Sequence, residues 1–431
     1  MLQTGYAKLD ITPAFGDFLE GYFEERPMDG VIDPLYAIAV AFANETDRAV
    51  LITLDTCLFL QETSDLLRRA VAEGCGLPYE AVFLQATHTH QGAAIGEKNP
   101  TYTAFVTERL KNLVNLALAD LAPTELYATR GRVEGVSFIR RFRMKDGAVQ
   151  TNPGLQNPNV QEALGAADEE SQLLVLKRAG KKEIGIVNFQ VHPDVIGGCK
   201  CSADYPKFVR DTYEALVENA LCIYINGAQG DTNHVDIRLS ADDLVEGYER
   251  AAYMGRKIAM SVACNRPLVT RIAGDKISFG QKNVTVSYNK GNPEELDAAI
   301  ARYQVYCEKG LDAATPEFEG MRKIEVVSEA ERMVLLMDKP DTTEVYVTAL
   351  AVGDAAFVGF AGEPFTAMGV SVKENSPFAL TMPACCANGY TAYFPTAQAF
   401  SEGGYEVVST DFAEGTAETL VSGALELLGS F

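Results

Sequence analysis

The chain of 431 residues has no tryptophan, only four histidines and far fewer basic than acidic residues. Lys and Arg number 37 against 59 Asp and Glu, so the formal net charge is −22. Such a surface repels phosphate backbones and anionic lipid head groups, which argues against nucleic-acid binding. No apolar run reaches the roughly 20 residues of a membrane span. We therefore expect no stable membrane insertion and a small-molecule substrate.

Several common motifs are also missing. The chain has nine cysteines but no CxxC, which excludes a zinc ribbon and a thioredoxin-type motif and predicts reduced, mostly buried thiols. There is no GxGxxG, Walker A loop, HExxH, GxSxG or kinase pattern. The N-terminus lacks the basic and apolar regions of a signal peptide, so we expect a cytoplasmic protein. The oligomeric state stays open.

Apolar, β-branched runs alternate with amphipathic stretches along the whole chain, which predicts an α/β fold with mixed β-sheets and flanking helices. Strands are predicted at 35–43, 49–56, 81–87, 183–192, 221–227, 345–353, 355–362 and 378–384. Helices are predicted at 61–74, 102–120, 204–219, 241–264, 293–309 and 411–429, the last with Thr410 and Asp411 as N-cap candidates. No linker divides the chain, so we predict one domain over 1–431, with 290–345 as an inserted helical layer or a lid.

All four histidines lie where apolar strands end in polar, glycine-flanked residues. Five segments have this form: AVFLQATHTHQG, IGIVNFQVHPD, LCIYINGAQGDTNH, AAFVGFAGEPF and FALTMPACCANGYTAY. They carry His88, His90, His192 and His234. In open α/β sheets, sites form outside the carboxyl ends of strands. Although a single histidine is more often a structural residue, this clustering predicts a metal site at the C-terminal ends of the strands.

Imidazole and carboxylate are usual ligands of catalytic zinc. In a strand-like HxH, His88 and His90 face the same side, so both ligate, or one ligates and the other contacts substrate. Glu363 follows a strongly apolar strand, where a carboxylate is costly to bury unpaired. It either meets a metal or a base, or it is an ordinary acid at the start of a helix near Pro364.

Each of the other polar residues at these strand ends has two possible roles. Asp204 and Asp231 lie between a strand and a helix, and capping a helix is their more common role. The alternative is a hydrogen bond to the far nitrogen of a ligand histidine. Arg140 and Arg141 in SFIRRFR either lie on a solvated strand edge or reach an acidic or carbonyl group.

Taken in order, these motifs resemble the neutral/alkaline non-lysosomal ceramidase family in its N-terminal catalytic domain. The matching landmarks are GYAKLDITP, ATHTHQGAA, FIRR, VHPD, NGAQGDTN, GEPF and NGYTAY, which span most of the chain. The resemblance implies a single zinc ion that activates water to hydrolyse an amide. It implies the ligands His88, His192, Glu363 and Tyr393, with His90 contacting the reacting group and Arg140 matching the arginine of the family's NR dipeptide.

The chain departs from the family pattern in three ways. Where ceramidases carry GDxSPN, this chain has GDTNH, so Asn233 replaces the functional serine and His234 replaces the proline. Ile139 also replaces the asparagine that precedes the family arginine. We also expect the protein to lack the C-terminal β-sandwich domain of the true ceramidases. These differences predict a single-domain bacterial-type relative rather than a true ceramidase.

We therefore predict a zinc-dependent hydrolase of an amide bond. His90 and Arg140 polarise the carbonyl, Asn233 donates to the oxyanion, and His234 shuttles a proton. Two alternatives stay open: a catalytically silent metal- or ligand-binding protein on the same scaffold, and a metal-dependent hydrolase of a polar, non-lipid substrate. The sequence does not name the substrate.

Overall fold

A computed structural model describes all 431 residues. The strands are β1 Gln3–Asp10, β2 Phe18–Leu19, β3 Arg26–Pro27, β4 Gly30–Val31, β5 Tyr36–Ala43, β6 Arg48–Leu54, β7 Val82–Ala86, β8 Ala122–Arg132, β9 Phe138–Ile139, β10 Arg141–Met144, β11 Val149–Thr151, β12 Val160–Ala163, β13 Glu170–Arg178, β14 Glu183–Phe189, β15 Lys200–Cys201, β16 Ala220–Asn226, β17 Thr232–Asn233, β18 Thr270–Ile272, β19 Ile277–Ser287, β20 Thr342–Val352, β21 Ala355–Phe360, β22 Glu363–Pro364, β23 Leu380–Ala384 and β24 Tyr393–Phe394. The helices are α1 Gln61–Cys75, α2 Pro100–Ala119, α3 Asp204–Leu216, α4 Gly247–Cys264, α5 Leu296–Lys309, α6 Leu311–Ala314, α7 Met321–Leu336, α8 Thr366–Asn375, α9 Ala397–Glu402, α10 Tyr405–Val408 and α11 Thr416–Gly429.

Two mixed sheets form the centre of the fold. The larger has nine strands in the order β16-β14-β13-β8-β1-β5-β6-β7, with β18 also paired to β8. Only β14–β16 and β6–β7 are parallel pairs in it. The smaller sheet runs β19-β20-β21-β23, and β21–β23 is its parallel pair. The predicted α/β class with mixed sheets and flanking helices is confirmed.

Alternation along β5 explains how the layers stack. Ile38, Val40 and Phe42 share a core with β20, β21 and β23 of the smaller sheet. The alanines between them face α1 and α2 on the other side, where small side chains let the helices approach closely. Phe357 lies between the sheets, its ring centroid 6.4 Å from that of Phe42. The other outer layers are α3 and α4 on the larger sheet and α8 and α11 on the smaller.

Most predicted boundaries agree with the structure to within about three residues, but two helices begin later than predicted. Helix α4 begins at Gly247 rather than at 241, because residues 241–246 form turns and loop. The last helix begins at Thr416, and its N-cap is Gly415, so Thr410 and Asp411 do not cap it. Thr410 instead donates its hydroxyl hydrogen to the carbonyl of Tyr393 at 2.7 Å, because the segment before the helix packs against the strand ends. None of the helices combines the length and the apolar character needed to span a bilayer.

The segment predicted as an insertion forms helices α5 to α7, between the antiparallel partners β19 and β20. Two hydrogen bonds tie it to a loop and to helix α10 elsewhere in the chain. Tyr306 donates to the carbonyl of Phe23 at 3.5 Å, and Arg332 Nε donates to the carbonyl of Val408 at 2.7 Å. A single domain over 1–431, and a lid role for this segment, stay predictions.

Candidate metal centre

Three of the four residues proposed as ligands come together where strands of both sheets end. His88 follows β7, His192 follows β14, and Glu363 lies in β22, just after β21. The loops interlock through backbone hydrogen bonds, such as that from His90 N to the carbonyl of Pro193 at 3.1 Å. These three side chains are at most 2% exposed. The predicted position, at the carboxyl ends of the strands, is confirmed.

Gly230 allows these loops to approach. A Cβ at this position would lie 2.5 Å from the carbonyl oxygen of Glu363, too close for any side chain. The Gly230 amide also donates to the carbonyl of Pro364 at 2.9 Å. The glycine in GAQGD therefore holds that loop directly against the GEP segment.

Three donor atoms converge in this cluster. His88 Nε2 lies 3.2 Å from His192 Nε2 and 3.4 Å from Glu363 Oε2. His192 Nε2 lies 3.5 Å from the same carboxylate oxygen. A tetrahedral ion with bonds of about 2.0–2.1 Å separates its donors by about 3.3–3.4 Å. The donor set and its spacing therefore fit a zinc-type ion.

Hydrogen bonds to the other side-chain atoms of His88 and Glu363 orient their donor atoms towards the centre of the cluster. His88 Nδ1 donates to the carbonyl of Cys57 at 2.8 Å, which leaves the Nε2 lone pair free. Glu363 Oε1 accepts from the Tyr390 hydroxyl at 2.9 Å, and Oε2 accepts from Gln229 Nε2 at 3.2 Å. His192 Nδ1 is buried without a partner. Two of the three donors are thus oriented by neighbouring groups.

Charge is divided unevenly among the three donor side chains. Burial would raise the pKa of Glu363, but the adjacent His88 holds it well below its usual range. Burial would lower the pKa of His88, yet Cys57 and Glu363 raise it well above the ordinary histidine value. Burial and the positive Arg140 lower the pKa of His192. A proton and a metal ion therefore compete for His88.

The strand-like geometry predicted for HxH is wrong. Strand β7 ends at Ala86, and His88 has φ +71°, in the left-handed region. The His88 amide donates to the carbonyl of Thr56 at 2.9 Å. The positive φ at His88 turns the chain before His90. The two imidazoles still meet, with 3.3 Å between their Nε2 atoms. Backbone reversal, rather than strand alternation, brings them together.

His90 lies beside the three donors. Its ring packs edge-on against Tyr22, with centroids 5.1 Å apart, and its Nδ1 is buried without a partner. Arg26 Nη2 donates to the His90 carbonyl at 2.6 Å. The His90 side chain is thus fixed next to His88, and its backbone is held from behind.

Tyr393 stands opposite Glu363 in the parallel pair β22–β24. Its ring centroid lies 5.4 Å from Arg140 Cζ and 5.7 Å from the ring of Tyr405. Burial raises the pKa of the Tyr393 hydroxyl well above its ordinary value. The hydroxyl that donates to Glu363 belongs instead to Tyr390, the first tyrosine of NGYTAY. Tyr390 was not predicted from the sequence as a site residue.

Arg140 is buried in an ion pair, not on a solvated strand edge. Its Nε donates to Glu406 Oε1 at 2.7 Å and its Nη2 to the carbonyl of Gly230 at 2.9 Å. Arg141 lies 3.5 Å from the other Glu406 oxygen. Sequence reasoning missed Glu406, although two adjacent arginines with apolar residues on both sides need a carboxylate partner when they are buried.

Asn233 and His234 of the GDTNH segment have different hydrogen-bond partners. Asn233 Nδ2 donates to Asn152 Oδ1 at 2.5 Å, and its Oδ1 accepts from Val235 N at 3.0 Å. This side chain therefore stabilises its own loop. His234 Nδ1 donates to Asp194 Oδ1 at 3.2 Å. Burial opposes the effect, but His234 lowers the pKa of Asp194 well below its usual range.

Asp204 and Asp231 bind backbone amides rather than ligand histidines. Asp231 Oδ1 accepts from the Thr366 amide at 2.8 Å and so caps the first turn of α8. Asp204 Oδ2 accepts from the amides of Val195 and Ile196 at 3.0 and 2.9 Å. The capping role applies to Asp231, and Asp204 anchors the loop that follows His192.

These features define the class of the molecule: layered α/β, with helices on the outer faces of two mixed sheets and a candidate metal-binding cluster at the strand ends. A crystal structure of neutral ceramidase from Pseudomonas aeruginosa shares this fold, with a TM-score of 0.70 and 17% identity, over 100% of this chain and 75% of that chain. A ceramidase complexed with C2 aligns with a TM-score of 0.70 and 16% identity, over 98% of this chain and 73% of that chain. No protein-family model and no curated protein matches the sequence. The predicted resemblance to neutral ceramidases is confirmed in the fold.

Proposed function

We propose that the protein is a zinc-dependent hydrolase that cleaves an amide bond. The observation that carries this proposal is the convergence of His88 Nε2, His192 Nε2 and Glu363 Oε2, with separations of 3.2 to 3.5 Å. Two imidazoles and a carboxylate are a usual donor set for catalytic zinc. The fold shared with neutral ceramidase supports an N-acyl amide as the bond.

One ion is proposed to be held by His88, His192, Glu363 and Tyr393. Zinc bound there supplies Lewis acidity and makes water nucleophilic near neutral pH. Tyr393 is included because the resemblance to the ceramidase motifs implies it, and its pairing with Glu363 in β22–β24 supports the choice. Tyr390 and Gln229 orient the carboxylate through their hydrogen bonds.

The substrate carbonyl is proposed to lie against His90 and Arg140. Both side chains are buried and already held by neighbours, so they can stabilise developing negative charge without reorganising. Asn233 retains one amide hydrogen for the same oxygen while its other bonds hold the loop. His234 is proposed to transfer the proton.

A polar cytosolic metabolite is the substrate class that we favour over a membrane lipid. The net charge of −22 disfavours approach to anionic membrane surfaces. Turnover of ceramide in detergent, exceeding turnover of short polar N-acyl amides, would contradict this choice.

Metal analysis tests the proposed centre. Protein purified with added zinc and then dialysed is expected to hold one equivalent, as measured by inductively coupled plasma mass spectrometry. His88→Ala should lose the ion, whereas the matched variant His90→Ala should keep it. Equal metal content in wild type and His88→Ala would refute the centre.

A panel of N-acyl amides and esters tests the reaction. We expect amide turnover by the zinc-loaded protein and its loss in Glu363→Gln, which keeps the shape of the side chain but removes the charged donor. Zinc binding with no turnover on any amide or ester would favour the silent metal-binding alternative.

A further inference from the structure

Asp194 and His234 form a hydrogen-bonded pair on the rim of the candidate metal centre. The Nδ1–Oδ1 distance is 3.2 Å, and the two side chains are 25% and 15% exposed, respectively. Asp194 comes two residues after the proposed ligand His192. Its carboxylate lies within electrostatic range of both His192 and His90. The pair is therefore partly open to solvent, and Asp194 joins it to the loop that carries the proposed ligand His192.

Both members of the pair are held by groups outside it. The carbonyl of His234 accepts from Arg250 Nη2 at 2.9 Å. The turn that carries Asp194 is held by Asp204, a fully buried residue whose Oδ2 accepts from Ile196 N at 2.9 Å. The dyad is thus built into two anchored loops, as a pre-organised catalytic pair requires.

The Asp194 carboxylate determines which nitrogen of His234 carries the hydrogen. A carboxylate only accepts, so the Nδ1 hydrogen points at Asp194 and Nε2 keeps its lone pair. The hydrogen bond to Asp194 uses Nδ1, so Nε2 is the nitrogen that can exchange a proton with another molecule. A base oriented by a third group in this way is the usual arrangement for histidine proton transfer.

We propose that Asp194 is a positioning residue that holds His234 as the proton-transfer group for the amide nitrogen. This inference rests on the proposed amide hydrolysis. His234 Nε2 takes one proton from the water molecule whose oxygen adds to the carbonyl carbon. The C–N bond then breaks, its electron pair stays on nitrogen, and Nε2 returns the proton to that nitrogen. The products are a carboxylic acid and an amine, and His234 ends neutral.

The pair then determines which bonds are cleaved. An amine nitrogen leaves only when it is protonated, because its anion is too basic, whereas a nitrophenolate oxygen leaves without a proton. An amide therefore needs His234 twice, to take the proton from water and to return it to nitrogen, whereas an activated ester with the same acyl group needs only the first step, so loss of His234 should cost the amide more. Asp194 and His234 would confer amidase activity on a site that lacks the serine of the ceramidase motif.

Nuclear magnetic resonance tests the positioning without any turnover. With only four histidines in the chain, ¹⁵N-histidine labelling gives resolvable long-range ¹H–¹⁵N correlations. Metal-free wild type should show His234 as the Nδ1–H tautomer, and Asp194→Ala should shift it towards Nε2–H. Asp236→Ala is the matched control, because Asp236 pairs with Arg238 at 2.7 Å and should leave His234 unchanged. An Nε2–H tautomer in wild type, or no shift in Asp194→Ala, would overturn the inference.

Kinetics on a matched substrate pair give the second test. Acetyl p-nitroanilide and p-nitrophenyl acetate share the acyl group and differ in the leaving atom. Zinc-loaded His234→Ala is expected to lose about 10²–10⁴-fold on the anilide and less on the ester, with Asp194→Asn showing the same selectivity. Equal losses on both substrates, or an unchanged anilide rate, would overturn the inference. Absence of anilide turnover in zinc-loaded wild type would instead refute the proposed function, and the tautomer measurement would still report on the pair.

Discussion

Hydrogen bonds to single side chains determine whether the cluster can hold an ion. Glu363 uses Oε1 for the Tyr390 hydroxyl and turns Oε2 towards the two imidazoles. His88 gives its Nδ1 hydrogen to the Cys57 carbonyl, so its Nε2 faces inward. Partners of this kind usually contribute measurably to metal affinity. The two tyrosines of NGYTAY should therefore differ in what they contribute.

Tyr393→Phe and Tyr390→Phe separate a ligand from an orienting residue. Removing the Tyr390 hydroxyl should weaken zinc binding about 10–100-fold, as expected for loss of an outer partner. Removing the Tyr393 hydroxyl should weaken it further, because a direct bond is lost. Competition with a chromophoric chelator measures both affinities. Wild-type affinity in Tyr393→Phe would remove Tyr393 from the proposed ligand set.

A buried ion pair between the end of β6 and helix α3 helps to position the candidate ligands. Asp55, just after β6, accepts from both terminal nitrogens of Arg210 on α3, at 2.7 and 2.8 Å. Both residues are about 1% exposed. Two residues further along, the Cys57 carbonyl receives the His88 hydrogen bond. The ion pair therefore braces the strand end that orients a proposed ligand.

Asp55→Ala is expected to lower the free energy of unfolding by about 3–5 kcal/mol, because it leaves the Arg210 charge buried without a partner. Urea denaturation measures the change. Asp211→Ala, on the same helix, is the matched control. It breaks only the surface pair with Lys207 and should cost about 0.5 kcal/mol or less. Similar losses in both variants would contradict the bracing role.

The start of α3 should make stability depend on pH. Burial raises the pKa of Asp204 to about 6, although the amides of Ile196 and Tyr205 oppose the shift. The folded pKa lies above the unfolded value, so the stabilisation is complete at low pH and is lost as pH rises through about 6. Between pH 5 and 7 this residue should lower the free energy of unfolding by about 1 kcal/mol.

Denaturation at both pH values checks this, using Asp204→Asn as the variant that cannot ionise. Between pH 5 and 7 the unfolding free energy of the wild type should fall by about 1 kcal/mol more than that of Asp204→Asn. This difference does not depend on the overall stability of the variant. An identical pH dependence in wild type and Asp204→Asn would contradict the assignment.

The complete fold couples the two sheets at the candidate site. His88 and His192 follow strands of the larger sheet, whereas Glu363 and Tyr393 belong to segments that follow the smaller one. An ion bound by all of them can exist only when both sheets are formed and packed together. Binding should therefore stabilise the folded chain as a unit.

Zinc is expected to raise the unfolding free energy by about 4 kcal/mol when free zinc exceeds the dissociation constant about 1,000-fold. Thermal unfolding with zinc and with excess chelator measures the shift. His192→Ala should unfold at the same temperature under both conditions. A chelator effect as large in His192→Ala as in wild type would place the stabilising ion elsewhere.

Alternation and strand-end composition were sufficient to predict much of the structure. The run YAIAVAFA predicted strand β5, which is observed at Tyr36–Ala43. Because polar groups cannot be left in the apolar layers, the histidines and Glu363 had to emerge at strand ends. The landmarks in order predicted the ceramidase-like fold. Partners such as Glu406 and Asp194 were not predicted, since nothing local marks which charge lies opposite which.

The sequence by itself determined the fold class, the edge of the sheets where the site forms, and the candidate donors, because periodicity and burial are local properties of the chain. Only the tertiary structure decided how these donors face one another. The left-handed turn at His88, the Tyr390 bond to Glu363 and the Asp194–His234 pair all depend on contacts between segments far apart in sequence. Such contacts follow from how the layers pack and interlock, and no local pattern records them.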